Sequence, residues 1–337
     1  MQREPDQPPF ILIGASAGGV RAMLELVARL PENFPAPLLF VQHIGAHRSQ
    51  LASLLSRRGP NRAIEARDGE VPTAGSIYVA PPDRHMLIDR GVLRLHHGPK
   101  EHHSRPAIDP LFRSGALDCG PRAIGVVLTG RLDDGSAGLR AIQACGGVSV
   151  VQDPADADEP SMPRCAIAAV KPDHVVPLSA MPDLFLQLSR ERAQPFAPFE
   201  VPESLRREHA VAMGEHAVEN LKTIAKPSMF SCPDCGGVLF ELDDPQAVRY
   251  RCHTGHAFSI RSLAATQEEV TDAALWSSLR ALQEKEGMLR RLARMQGTDA
   301  PAVIQARLRE ADEIAAVSAA MRKLMIGAPA SADFDVG

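Results

Sequence analysis

The chain has 337 residues, 45% of them hydrophobic and 23% charged, with a formal net charge of −4 at pH 7. That length suggests two domains, or one domain and a smaller module. The charge gives no bulk electrostatic case for nucleic acid or an anionic membrane, and no apolar run approaches the roughly 18 residues that span a bilayer.

The N-terminal MQREPDQPP has no apolar signal core, so a cytoplasmic location is expected. Phe10–Ile13 then reads as a buried strand ending in a glycine-rich turn, and Val20–Leu30 carries apolar residues at helical spacing. Leu38–Gln42 is a second buried strand, followed by a helix-like Leu51–Arg57. Ile77–Ala80 is short and apolar, and Met86–Asp89 with Val92–His96 flank Arg90-Gly91 as a hairpin. Pro110–Leu117 reads as helix, Ile124–Thr129 as strand, Ala137–Cys145 as helix and Val148–Gln152 as strand. Strand-then-helix order of this kind predicts an α/β fold, a doubly wound and mainly parallel sheet over residues 1–190. Prolines 195, 198 and 202 open a linker over 191–227, although Glu203–Leu221 has a helical pattern. Residues 228–262 hold a cysteine-bearing module, and 263–326 are rich in Ala, Leu, Arg and Glu at helical spacing. A disordered tail is expected over 327–337.

The first turn, Gly14-Ala15-Ser16-Ala17-Gly18, fits the G-x-S-x-G nucleophile pattern between a strand and a helix. Small neighbours allow a tight turn that lifts the serine oxygen clear, and the helix N-terminus offers N–H groups to a developing oxyanion. A dinucleotide-binding turn would need a second glycine where Ser16 stands, and an acid at the end of the second strand, where Gln42-His43 stand. In open α/β sheets, catalytic groups gather beyond the carboxyl ends of strands, and His43 lies there. Beyond the third such strand come Asp133 and Asp134, either of which can orient a histidine base. The histidines at 96, 97, 102 and 103 read as a solvated loop, since no acid or thiol set nearby closes a metal site.

Of six cysteines, Cys119, Cys145 and Cys165 are scattered, whereas Cys232, Cys235 and Cys252 cluster with His256. Two knuckles, Cys232-Pro-Asp-Cys235 and Cys252-His-Thr-Gly-His256, supply the four ligands of a tetrahedral Zn²⁺. A closed four-ligand site leaves no position for substrate, so this metal is expected to be structural and catalysis to need no cofactor. A redox Cys-x-x-Cys is the competing reading.

The segments IGASAGG (13–19), FVQHI (40–44), IYVAPPDRHM (77–86), RPAID (105–109), GVVLTGRLDDG (125–135) and SMPRCAI (161–167) together resemble the catalytic domain of the chemotaxis protein-glutamate methylesterase family. The resemblance implies that Ser16 is the nucleophile, His43 the general base and Asp134, the acid before the glycine, the third triad member. It implies an oxyanion hole from the backbone N–H groups of Ala17 and Arg131, and it makes Arg105 a candidate at the edge of the substrate groove. It also implies hydrolysis of glutamate γ-methyl esters on methylated chemoreceptor-like proteins, with deamidation of receptor glutamines in some members. Ala17 stands where many members carry threonine, and Arg131-Leu132 where many carry methionine-glycine. Only nine residues precede the first strand, so an N-terminal receiver domain within this chain is not expected. Zinc ribbons of the CPDCGG…CxxGH form accompany stand-alone methylesterase-like domains. The competing function is an adaptor that uses an esterase-like domain and the ribbon to bind a partner. Leu275, Leu279, Leu282 and Leu289 are expected to present a face for self-association or a partner.

Overall fold

The computed structural model describes residues 8–45, 47–194, 196, 198–295 and 300–327. Strands β1 (Phe10–Ala15), β2 (Leu38–Gln42), β3 (Arg62–Glu65), β4 (Ser76–Val79), β5 (His85–Asp89), β6 (Val92–His96), β7 (Ala123–Val127), β8 (Val148–Gln152) and β9 (His174–Val176) come first. They are interspersed with helices α1 (Gly19–Arg29), α2 (Leu51–Arg58), α3 (Ile108–Cys119), α4 (Ser136–Ala144), α5 (Ser161–Val170) and α6 (Met181–Glu191). Seven of the strands form one parallel sheet in the order β3-β4-β2-β1-β7-β8-β9. The hairpin β5-β6 is separate, and its two turn residues, Arg90 and Gly91, are both left-handed, as a tight hairpin requires.

The central strands are apolar throughout because both faces are covered. Along β1, Ile11, Ile13 and Ala15 face a core with Met23 and Leu26 of α1, Leu55 of α2 and Phe185 of α6. Phe10 and Leu12 face the opposite core, with Leu111 and Phe112 of α3, Leu139 of α4 and Met162 of α5. The expected doubly wound parallel sheet is the one observed. Two short strands, β3 and β9, and helices α5 and α6 were not legible as elements; β3 and β9 have only four and three residues. Strand order runs outward from β1 through β2 on one side and from β7 through β8 on the other. The carboxyl ends of β1 and β7 therefore flank the switch point where such sheets bind ligands.

The segment read as a linker holds α7 (Glu203–Ala212) and α8 (Ala217–Ile224). It is packed structure: Phe199, Val201 and Leu205 lie against the second core, and a Cβ on Gly120 would sit 2.4 Å from the Phe199 ring. A four-stranded antiparallel sheet follows, β10 (Ala225–Ser231), β11 (Val238–Leu242), β12 (Arg249–Cys252) and β13 (Ala257–Ser259). Long helices α9 (Ile260–Arg294) and α10 (Pro301–Gly327) end the described chain.

The chain divides into two compact units, Met1–Leu263 and Ala264–Gly337. Within the second, Lys285–Glu310 and Arg290–Asp312 pair α9 with α10 at 2.8 and 2.9 Å. The predicted leucine face is mixed: Leu275 is exposed and Leu282 and Leu289 half-buried, but Leu279 is buried and cannot present itself to a partner. The tail expected beyond residue 327 lies outside the described residues. No helix among the described residues is long and apolar enough to cross a membrane.

Within the first unit, a buried ionic cluster joins the α/β body to α7 and the small sheet. Arg113 of α3 meets both oxygens of Glu101 at 3.0 and 2.5 Å. Arg251 of β12, fully buried, meets Glu101 at 3.1 Å, Glu208 of α7 at 3.1 Å and the Gly255 carbonyl at 2.9 Å. Glu208 also takes a bidentate pair from Arg249 at 2.8 and 3.0 Å. Burial opposes charge on Glu101, yet the guanidiniums of Arg113 and Arg251 hold it well below the usual carboxylate range.

Candidate active site

The turn after β1 carries Ser16, the residue after β2 is His43, and the loop after β7 carries Asp134. All three lie at the carboxyl end of the sheet. His43 Nδ1 is 3.2 Å from Ser16 Oγ, and His43 Nε2 is 2.7 Å from Asp134 Oδ2. Nε2 faces a carboxylate, so in the neutral ring it carries the proton, and Nδ1 presents its lone pair to the serine hydroxyl. The imidazole is half-buried at 18% side-chain exposure, whereas Asp134 is closed off at 2%.

The backbone explains why the loops are so small. Gly18, two residues after Ser16, takes the left-handed conformation (φ 77°) that lets the chain enter α1. A Cβ on Gly130 would meet Ser16 Cβ at 2.9 Å and Met162 at 2.5 Å, so only glycine lets the β7 loop approach the serine. Gln42 donates to the Ser16 carbonyl at 2.7 Å and pins the turn, a role its strand-end position did not announce. Thr129 does the same from the other side, donating to the Ala17 carbonyl at 3.0 Å. Ala17 N–H, next in the chain to Ser16, enters no hydrogen bond among the described residues. Arg131 follows Gly130 in the loop facing the serine, with its guanidinium on Glu159 at 3.0 Å.

Asp134 is held tightly. Its Oδ2 accepts the N–H of Ile108 at 2.7 Å, and its Oδ1 that of Asp109 at 2.9 Å, so it caps the N-terminus of α3. Asp109 returns the arrangement, accepting the N–H groups of Gly135 and Gly138 at 3.0 and 2.7 Å at the start of α4. Burial alone would raise the Asp134 carboxyl; the charge of His102, the hydrogen bond and charge of His43 and the Ile108 N–H draw it down to about 2. Asp133 points elsewhere, to the Ser259 hydroxyl at 2.7 Å, and burial pushes it up. The geometry thus separates the two neighbouring acids.

Arg105 is engaged otherwise. Its guanidinium spans Asp83 at 2.8 and 2.5 Å and the Gly98 carbonyl at 2.6 Å, which fixes the loop before α3. The four loop histidines diverge. His97 meets Asp83, His103 meets Asp234 and His102 meets Asp109. The solvated-loop reading holds for His97 and His103, whose side chains are 52% and 42% exposed, and fails for His102, at 7%, beside the buried Glu101. The covering comes from residues 257–262, more than 150 positions away, which local spacing cannot signal. His102 and Asp109 are the site-adjacent residues that sequence reasoning missed.

Cys232, Cys235, Cys252 and His256 place their donor atoms within 4.8 Å of one another. Cys235 and Cys252 sulfurs are 3.7 Å apart, and Cys252 Sγ is 3.5 Å from His256 Nδ1. Ligands about 2.3 Å from a common centre at tetrahedral angles are separated by about 3.8 Å, so the set fits one Zn²⁺. His253 is outside the group, its ring lying over Gly237.

A family model described as CheB methylesterase matches residues 11–185. A putative protein-glutamate methylesterase/protein-glutamine glutaminase of Leptospira interrogans is 38% identical over 186 residues, 55% of this chain and 96% of that protein. Protein-glutamate methylesterase/protein-glutamine glutaminase 2 of Anaeromyxobacter dehalogenans is 39% identical over 181 residues, 53% of each chain. Protein-glutamate methylesterase FrzG of Myxococcus xanthus is 36% identical over 187 residues, 55% of this chain and 56% of that protein. The match thus spans nearly all of the first relative and about half of the other two. Among solved structures, the Thermotoga maritima CheB methylesterase catalytic domain superposes with a TM-score of 0.52 at 30% identity, covering 54% of this chain and 99% of that one.

Proposed function

The chain belongs to the CheB methylesterase family, and from that premise we propose that it hydrolyses glutamate γ-methyl esters on a methylated chemoreceptor-like protein through Ser16, His43 and Asp134. The observation that carries this reading is the continuous Ser16–His43–Asp134 hydrogen-bond chain at the switch point of the sheet. Ser16 Oγ attacks the ester carbonyl carbon as His43 Nδ1 takes its proton. The oxyanion forms beside the N–H groups of Ala17 and Arg131. The tetrahedral adduct collapses, His43 returns the proton to the departing oxygen, and methanol leaves an acyl-serine. Water then attacks the acyl carbon, losing its proton to Nδ1; as the second adduct collapses His43 returns that proton to Ser16 Oγ, and the glutamate leaves as acid and ionises in water. Asp134 keeps its negative charge throughout, holding the tautomer and stabilising the imidazolium. With a glutamine substrate the same steps release ammonia.

In this reading residues 1–190 carry the chemistry. Cys232, Cys235, Cys252 and His256 hold a structural Zn²⁺ in a ribbon over 228–262, whose closed donor set supplies shape and no reaction step. The test is methanol release from a γ-methylglutamyl receptor helix by the full chain, compared with Ser16→Ala. Loss of release by several orders of magnitude supports the reading; undiminished release by Ser16→Ala refutes it.

A further inference from the structure

His102 lies behind the triad and is untouched by the mechanism above. Its Nε2 faces only carboxylates, Asp109 Oδ2 at 2.9 Å and Asp134 Oδ1 at 3.8 Å, so it must carry a proton. Its Nδ1 is 3.0 Å from Ser262 Oγ. That hydroxyl also accepts the Ser259 N–H at 2.9 Å and has the Ser259 carbonyl at 3.3 Å for its own hydrogen. Ser259 and Ser262 form a reciprocal capping pair at the start of α9, the Ser262 N–H donating to Ser259 Oγ at 3.0 Å. The Ser262 oxygen is thereby positioned to accept from Nδ1. The ring is further fixed through its backbone, which donates to the Ala257 carbonyl of β13 at 2.8 Å.

We infer that His102 is a positioning residue for the esterase site, a buried second histidine that holds the triad acid Asp134 in place and is itself held by Ser262 at the end of the cysteine-bearing module. Three carboxylates crowd this spot: Asp109 from α3, and Asp133 and Asp134 from the loop after β7. The Ser259 and Ser262 hydroxyls face them from the module, and His43 occupies the far side of Asp134. Like charges this close cannot all stay ionised without a cation among them. Burial opposes charge on His102, but Asp134, Asp109 and Asp133 outweigh it and push the group up to about 10. A doubly protonated ring lets Asp134 keep both oxygens on the α3 N-terminus, with Oδ2 also on His43. The module so becomes part of the wall behind the active site without touching substrate.

The inference rests on the esterase reading only for its kinetic arm, and a second arm is independent of turnover. In the full wild-type chain, nitrogen NMR of the histidine rings should show both His102 nitrogens protonated at pH 8; a neutral ring there overturns the inference. In Ser262→Ala the His102 ring should titrate at lower pH, and unchanged ring signals would overturn the anchoring claim. In His102→Gln, kcat for p-nitrophenyl acetate at pH 7 should fall roughly tenfold with KM unchanged. The rising limb of the pH–rate profile, which reports the His43–Asp134 pair as a unit, should move up by about one pH unit. His102→Lys, which restores the charge, should move it back. A limb that stays in place in a folded His102→Gln refutes the positioning role. Ser16-independent turnover would instead refute the esterase reading, leaving the NMR arm to decide this inference.

Discussion

Glu101→Gln removes one charge from the buried cluster while keeping the side chain's shape. In the native chain three guanidiniums, of Arg113, Arg249 and Arg251, surround two carboxylates, of Glu101 and Glu208. The substitution leaves Glu208 as the carboxylate facing all three, with Arg249 alone also paired to Asp244, at 3.0 Å. Arg113 loses its only close charged partner, since Glu208 is 3.9 Å from it, and Arg251 keeps only Glu208. Breaking a buried pair costs about 3–5 kcal/mol, so a loss of about 4 kcal/mol from the first unit is expected. For a unit of this size that corresponds to a fall in Tm of roughly 10 °C. Arg251→Met should cost less, about 2–3 kcal/mol, because Glu101 keeps Arg113, Glu208 keeps Arg249, and the remaining charges balance. The assay is urea unfolding read by amide hydrogen exchange on peptides from β1, β7 and β12, which separates this unit from α10. A cost below about 1 kcal/mol for Glu101→Gln, or a larger cost for Arg251→Met, would refute the charge-count reasoning. Exchange in β1 and β7 that stays native while β12 unfolds would show that the small sheet is not bound to the body through this cluster.

Asp134→Asn should lower kcat by about 10⁴-fold and destabilise the fold by about 1–3 kcal/mol, because it spoils both the histidine tautomer and the α3 cap; Asp133→Asn should retain activity within a few-fold, and the opposite ranking in methanol-release assays would reassign the triad acid. The folded His102 is raised to about 10 from an ordinary 6.5, so its contribution is whole below about pH 6.5 and disappears as pH rises through 10. Urea midpoints of the wild type should therefore fall across pH 7–10 by an amount worth about 3–4 kcal/mol, and a flat profile would contradict the assignment. Asp134 runs the other way: drawn down to about 2, its contribution is whole above pH 3.8 and disappears as pH falls through 2. Freshly purified chain should hold one Zn²⁺ by metal analysis and Cys232→Ser none, with chelation lowering the stability of the small sheet; metal-free native protein would refute the ribbon reading.

Ser16, His43 and Asp134 were legible because each lies one to seven residues beyond a strand whose apolar run marks it, and because small residues must surround a nucleophile on a tight turn. Choosing Asp134 over Asp133 was not a matter of local pattern; it depended on family likeness, and the structure separates them by what each faces, His43 against Ser259. The cysteine knuckles were legible because spacings of three (Cys232, Cys235) and four (Cys252, His256) put two donors on one tight turn. His102, Asp109 and Glu101 were not, since their partners lie at the start of α4, some 26 residues on, or at positions 251–262. Charged residues in a loop look solvated until the covering segment is known. Leu279 shows the converse, an apolar position whose covering a helical-period argument does not foresee.

The mutual capping of α3 by Asp134 and of α4 by Asp109 has an evolutionary corollary. A descendant of this chain that gave up hydrolysis would still need an acid at position 134 to close the end of α3, so selection for folding alone would preserve it. Ser16 has no such second duty beyond its turn, and His43 little. Drift toward a non-enzymatic paralogue should therefore surface first at the serine. An intact acid at position 134 would then be a poor indicator that a homologue remains active, and the identity of residue 16 a good one.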